Sequence, residues 1–243
     1  MTFMKRNEIS IVILHGWGLS GSKYEPLTKI LEQNGYRVYA PDFPGFGDSK
    51  LIDIDMHLSD FSEYLDLYLK RMNIKKCILI GHSFGGRVGI YFASQKQDIV
   101  KMLVLTGVPV IRHYGQKQRL SFFAAKTFGL SLRVLPHSAE ILLKKIFYKI
   151  IGERDYINSG EKKKIFQNII NEPLTPYLKK IKIPITLIWG AEDSLTPASD
   201  VVKISSLGNI KDSKVAPGVG HGFPYKESKI FANILEIQIK KYA

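Results

Sequence analysis

The sequence predicts an α/β protein: a mostly parallel sheet of about six strands with helices on both faces. Three observations carry this. Short β-branched runs alternate with segments of helical period, which is the pattern of parallel strands joined by helical crossovers. The alternation is interrupted once, over residues 108–182, by a stretch without a clear strand. A chain of 243 residues, 45% hydrophobic and 23% charged, suits one globular domain carrying an insertion.

The strands are predicted at residues 9–14, 36–40, 76–81, 102–106 and 185–189, each a buried apolar run, with a weaker sixth at 213–216. Residues 59–72 predict a helix. Phe61, Tyr64, Leu65, Tyr68, Leu69 and Met72 recur there at spacings that place them on one helical face. A further helix follows the third strand from about Arg87, and the last runs over about 226–242. Inside the interruption, helical stretches near 117–129, 137–151 and 160–171 are punctuated by Pro109, Pro136, Pro173 and Pro176. This reads as a helical insertion between the fourth and fifth strands. The organisation predicted is therefore a core in two parts, 1–107 and 183–243, separated by an inserted unit at 108–182.

Composition excludes several classes. Cys77 is the single cysteine and cannot pair within the chain, so no disulfide framework exists and a reducing compartment is compatible. No apolar run approaches the roughly 20 residues of a membrane span, and the first eight residues lack the apolar stretch of a signal peptide. A cytoplasmic protein is expected. The formal net charge of +13 raises nucleic acid, an anionic surface or an acidic partner. Its distribution is more informative than its total. Residues 109–182 hold 11 Lys and 4 Arg against 4 Glu and 1 Asp, leaving a net of only +3 to the rest of the chain. Lys144, Lys145 and Lys149 fall on one predicted helix, and Lys162, Lys163 and Lys164 open another. No nucleic-acid motif accompanies them. A solvated face competes with a landing surface for an anionic substrate or an acidic carrier protein.

Two glycine motifs compete for the chemistry. Gly16-Trp-Gly-Leu-Ser-Gly21 matches G-x-G-x-x-G after the first strand, with Asp42 about 20 residues on, as in dinucleotide sites. Against it, Trp17 puts an indole where a pyrophosphate must approach, and Pro41 and Pro44 flank the acid. The other motif, Gly81-His-Ser-Phe-Gly85, is G-x-S-x-G between a buried strand and a helix. Such a turn holds a serine out above the sheet, and its tightness requires small residues at Gly81 and Gly85. The amide of Phe84, at the start of the helix, points to where an oxyanion would form. A serine nucleophile needs a base and an orienting acid. Asp193 follows the fifth strand and His221 the sixth, both at strand ends where open parallel sheets gather their sites. Glu192 is the competing acid.

On these residues the chain resembles the α/β-hydrolase superfamily over nearly its whole length. The resemblance implies Ser83 as nucleophile, Asp193 as acid and His221 as base. His15-Gly-Trp-Gly18 resembles the family's oxyanion loop, which implies the Trp17 amide beside that of Phe84. Asp42-Phe-Pro-Gly-Phe-Gly-Asp-Ser49 resembles a segment common in the family, and the insertion at 108–182 its helical cap. The implied activity is cleavage of a carboxylic ester through an acyl-enzyme, with no cofactor and no metal. Carbon–carbon bond hydrolysis of diketones uses the same triad and stays open. H-G-W-G and P-G-F-G also resemble the family's esterases of pimeloyl-carrier-protein methyl ester, which carry tryptophan where His82 stands. A non-catalytic binding protein and a dinucleotide oxidoreductase are the remaining alternatives. The family's opening hairpin has no counterpart here, so residues 36–40 are expected at an exposed sheet edge, where a partner subunit would fit.

Among the other residues, His82 is read as packing or making a local hydrogen bond, and His15 as bracing the oxyanion loop. Cys77 is read as core. Arg87, one turn beyond Ser83, is read as solvated or structural, with an acid in the core as one partner open to it, rather than as a substrate contact. His57, His113 and His137 have no ligand-like spacing.

Overall fold

A computed structural model describes residues 10–111 and 160–243. The helices expected near 117–129 and 137–151, with Lys144, Lys145, Lys149, His113 and His137, lie outside the described residues.

Six parallel strands form one sheet. They are β1 (Ser10–Leu14), β2 (Arg37–Tyr39), β3 (Cys77–His82), β4 (Val100–Thr106), β5 (Ile185–Gly190) and β6 (Ile210–Ala216), in spatial order β2-β1-β3-β4-β5-β6. The helices are α1 (Glu25–Gln33), α2 (Leu58–Arg71), α3 (Phe84–Gln95), α4 (Lys163–Asn171), α5 (Thr175–Lys180), α6 (Asp200–Ser205), α7 (Phe223–Lys226) and α8 (Ser228–Tyr242). The chain steps from β1 outward to β2 and then back across to β3. The strand order thus reverses between β1 and β3, and at such a point the loops beyond the strand ends diverge and leave a crevice.

Strand alternation divides the core. Val12, Leu14, Leu79, Leu103 and Leu187 face one side with Phe61 and Leu65 of α2, Val88 of α3 and Leu178 of α5. Ile11, Ile13, Ile78, Ile80 and Val104 face the other with Leu27 of α1 and Phe231 and Leu235 of α8. Both faces are therefore covered, which is why the strands read as continuous apolar runs rather than alternating ones. Each such fully buried Leu or Ile contributes about 1.5–3 kcal/mol of transfer free energy.

The expected strands all form, with shifted ends. The sixth starts three residues earlier than predicted, at Ile210. Its early residues alternate between half-buried and exposed, as suits an edge strand, so they lack the apolar run that marks the others. β2 is the other edge and is three residues long; Arg37 is exposed, with Val38 and Tyr39 half-buried. The helix after β3 begins at Phe84, directly after Ser83, rather than near Arg87. The last helix begins at Ser228, after the separate short α7.

Arg87 takes a structural role, through backbone carbonyls. Its buried guanidinium donates to the carbonyl of Pro109 at 2.6 Å and to those of Ile169 and Glu172 at 2.7 and 2.5 Å. It thereby ties α3 to the chain leaving β4 and to the C-terminal end of α4, where carbonyls lack helical partners. Two of the expected solvated lysines are also engaged. Lys164 pairs with Asp55 at 2.6 Å, and Asn168 donates to the same carboxylate at 2.8 Å. Lys162 donates to the Gly45 carbonyl and lies 4.5 Å from the Phe46 ring centre. These contacts fasten α4 to the loop following β2. Among the described residues no helix is long and apolar enough to cross a membrane.

Candidate active site

Ser83 sits between β3 and α3 with φ 52° and ψ −113°, a conformation that L-residues rarely adopt. A residue held there costs on the order of 1–3 kcal/mol and persists only when its surroundings enforce it. They do so here. A Cβ on Gly81 would stand 2.5 Å from the Cα of Gly86, and one on Gly85 2.2 Å from the Leu14 carbonyl oxygen. The Ser83 amide donates to the Thr106 carbonyl at 3.0 Å, fixing the turn to the end of β4. Phe84 is the first residue of α3, so its amide belongs to the helix N-terminus.

The loop after β1 lies against this turn. The Gly85 amide donates to the His15 carbonyl at 3.0 Å. Trp17 and Phe84 meet edge-on with ring centres 5.4 Å apart, and Trp17 touches Phe46 and Phe166 in the same manner at 5.0 Å. His15 braces the loop as expected. Its Nε2 accepts from the Phe43 amide at 3.0 Å, so Nδ1 carries the proton and donates to the Gly16 carbonyl at 2.9 Å. That carbonyl also accepts from the Leu19 amide at 3.1 Å. Because a peptide is planar, these two donors also fix the direction of the Trp17 N–H on the opposite edge of the same group.

Asp193 and His221 come together from the ends of β5 and β6. His221 Nδ1 lies 2.8 Å from Asp193 Oδ2. The same carboxylate accepts from the Thr196 hydroxyl at 2.7 Å and from the amides of Leu195 and Thr196 at 2.9 and 2.8 Å. Burial raises its pKa, but the hydrogen bonds from His221 and Thr196 outweigh burial and hold it below the usual carboxylate value. Glu192, one residue earlier, is exposed. Its amide joins the Val219 carbonyl at 2.9 Å, so its backbone helps hold the His221 loop. Gly107, which follows Thr106, has φ 59° and packs under the His221 ring: a Cβ there would stand 2.9 Å from both Nδ1 and Cε1. Ser83, bonded to Thr106, and His221, packed on Gly107, thus share adjacent residues of one strand end.

The dinucleotide pattern has other uses. Asp42 Oδ1 accepts from the Gly21 amide at 2.6 Å and Oδ2 from the Asp48 amide at 3.0 Å. The carboxylate that a dinucleotide site would turn to a ribose is therefore engaged by the protein's own backbone. His82 is fully buried between Tyr24 and the backbone of His221. Sequence reading did not reach Tyr24, Thr196 or Phe166, and took Phe46 only as part of a motif. Thr196 alone left a local signal, a hydroxyl three residues after the candidate acid.

Residues 9–120 match the family model described as the alpha/beta hydrolase fold. The chain is similar to the pimeloyl-[acyl-carrier protein] methyl ester esterase of Wigglesworthia glossinidia brevipalpis, at 26% identity over 96% of this chain and 95% of that protein. It is also similar to the sn-1-specific diacylglycerol lipase of Mus musculus, at 29% identity over 59% of this chain and 47% of that protein. Among solved structures, a thermophilic esterase from Thermogutta terrifontis superposes with a TM-score of 0.72 at 18% identity, covering 97% of this chain and 90% of the other. Sheet topology, matched segment and superposed structures define the class of fold: the chain has the α/β-hydrolase fold.

Proposed function

We propose that this protein of the α/β-hydrolase fold is a serine esterase that cleaves a carboxylic ester through an acyl-enzyme. The Ser83 hydroxyl attacks the ester carbonyl carbon, and His221 Nε2 takes its proton. The amides of Trp17 and Phe84 receive the oxyanion. Collapse of the tetrahedral adduct breaks the bond to the alkoxide, which takes the proton from His221 and leaves as the alcohol. A water molecule then repeats the sequence on the acyl-serine, releasing the acid. Asp193 holds the proton of His221 on Nδ1 and stabilises the imidazolium.

The observation that carries this reading is the strained serine turn beside a histidine hydrogen-bonded to a buried aspartate, each on its own strand end. Labelling by a fluorophosphonate, with the adduct mapped by mass spectrometry, tests it. A single adduct on Ser83 is expected, and an unlabelled protein overturns the reading.

The density of cations in residues 109–182 favours a narrower version, in which the ester is anionic or borne on an acidic carrier. A methyl ester borne on a carrier protein is also what the name of the Wigglesworthia relative gives as its substrate. Steering by charge acts on association and weakens as salt shortens the screening length from about 30 Å at 0.01 M to about 8 Å at 0.15 M. kcat/KM is then expected to fall with salt for anionic or carrier-bound esters and to stay flat for neutral ones. Equal salt dependence of both removes the carrier reading and leaves the esterase.

A further inference from the structure

His82 adjoins the candidate nucleophile but lies in the sheet, not in the crevice, and the proposed mechanism gives it no role. Its hydrogen bonds nevertheless form a chain whose directions are all determined. The Gly16 amide can only donate, and it lies 3.1 Å from the Tyr24 hydroxyl oxygen. Tyr24 accepts there and, because the His221 carbonyl can only accept from Nε2 of a neutral His82, directs its own proton to His82 Nδ1, 2.6 Å away. With Nδ1 accepting, the proton of His82 is on Nε2, which donates to the His221 carbonyl at 2.8 Å. Tyr24 and His82 are both buried, so no solvent competes for these bonds.

The two ends of this chain are the oxyanion loop and the base of the proposed chemistry. Gly16 precedes Trp17, and the His15–Gly16 peptide that Tyr24 holds by its N–H is held on its other edge by the Gly85 amide of the serine turn. The far end is the backbone of His221 itself. His82 also stacks at a tilt against the His221 ring, with centres 4.9 Å apart. A cation there would repel the imidazolium that forms during catalysis. Burial prevents it, pushing His82 down to about 3, and it pushes the Tyr24 phenol up. Both groups stay neutral throughout the working range.

We propose that Tyr24 and His82 are positioning residues, a buried Gly16–Tyr24–His82–His221 hydrogen-bond chain that fixes the oxyanion loop and the base in one register. This rests on the roles given above to Trp17 and His221. Removing a link should loosen alignment in the transition state more than binding of the ester, because neither residue reaches the substrate.

The test uses the whole protein and a short neutral ester. Tyr24→Phe is expected to lower kcat about 10- to 100-fold, the scale of a small misplacement of reacting groups, with KM changed by less than about twofold. His82→Gln has an acceptor and an N–H donor on one side chain and is expected to keep more kcat than His82→Leu. In the wild type, long-range proton–nitrogen NMR of the imidazoles is expected to show His82 as the Nε2–H tautomer and His15 as the Nδ1–H tautomer. Tyr24→Phe with kcat within twofold of wild type, equal kcat for the two His82 variants, or His82 in the Nδ1–H form each overturns the proposal. Should Tyr24→Phe fail to fold, the tautomer decides, since it needs no variant. Failure of the esterase reading is separately visible as absence of a fluorophosphonate adduct on the wild-type Ser83.

Discussion

Thr196 donates its hydroxyl to the same oxygen of Asp193, Oδ2, that meets His221 Nδ1, at 2.7 Å against 2.8 Å. Two donors on one oxygen, and two amides on the other, leave the carboxylate no freedom to rotate away from the imidazole. A carboxylate held this way favours the imidazole proton on Nδ1 and leaves Nε2 free for the proposed role of base.

Asp193→Asn is accordingly expected to lower kcat on the order of 10⁴-fold, because an amide also stabilises the wrong tautomer. Glu192→Gln is expected to change it by less than about threefold, since that side chain is exposed. Steady-state kinetics of the two purified variants checks this. Greater damage in Glu192→Gln would reassign the acid.

Gly107→Ala probes the seating of the base. The added Cβ would lie 2.9 Å from two ring atoms of His221 and 3.3 Å from Asp193 Oδ2, at a position whose φ of 59° already disfavours a side chain. The expected result is a loss of kcat of about 100-fold or more with the far-ultraviolet circular dichroism of the wild type. Full activity would mean that the imidazole works from another position.

Much of this was legible in the sequence, for identifiable reasons. The central strands were legible because both faces of each are covered, so the runs are mostly apolar, broken only by residues such as Ser10, Lys101 and Thr186. The sixth strand was legible only at its end, because Lys211, Asp212 and Lys214 lie on an exposed edge. α1, α5 and α6 were not read: the last two span six residues each, and Pro26 and Pro176 at the starts of α1 and α5 resemble breaks although proline is well suited to the first helical turn. The serine turn was legible because its constraints are local. The partners of Arg87 and His82 were not. Arg87 reaches backbone 22, 82 and 85 residues away, and His82 reaches a side chain 58 and a carbonyl 139 residues away. A backbone carbonyl carries no residue identity, so no sequence pattern marks it as a partner.

Stability should fall on mild acidification because of the buried histidines. Burial, aided by His221, lowers His82 to about 3, and burial also lowers His15. The unfolded chain binds these protons near ~6.5, whereas the folded His82 refuses its proton until far lower pH. Its contribution is therefore constant above ~6.5, and stability declines below that by up to ~1.4 kcal/mol per pH unit. Asp193 acts in a different window: its folded pKa is depressed, so its stabilisation is intact above the unfolded value of ~3.9 and is lost only as pH falls through the folded value. Urea unfolding at pH 7 and pH 5 should show this decline, and His82→Gln should make it shallower. An unchanged slope in the variant would contradict the assignment of His82 as a buried neutral group.

The central claim is that Ser83 is the nucleophile, and the turnover of a p-nitrophenyl ester by purified Ser83→Ala beside wild type tests it most directly. The account predicts hydrolysis by the wild type and a loss of several orders of magnitude in the variant, with the fold retained. Undiminished turnover by Ser83→Ala would contradict it.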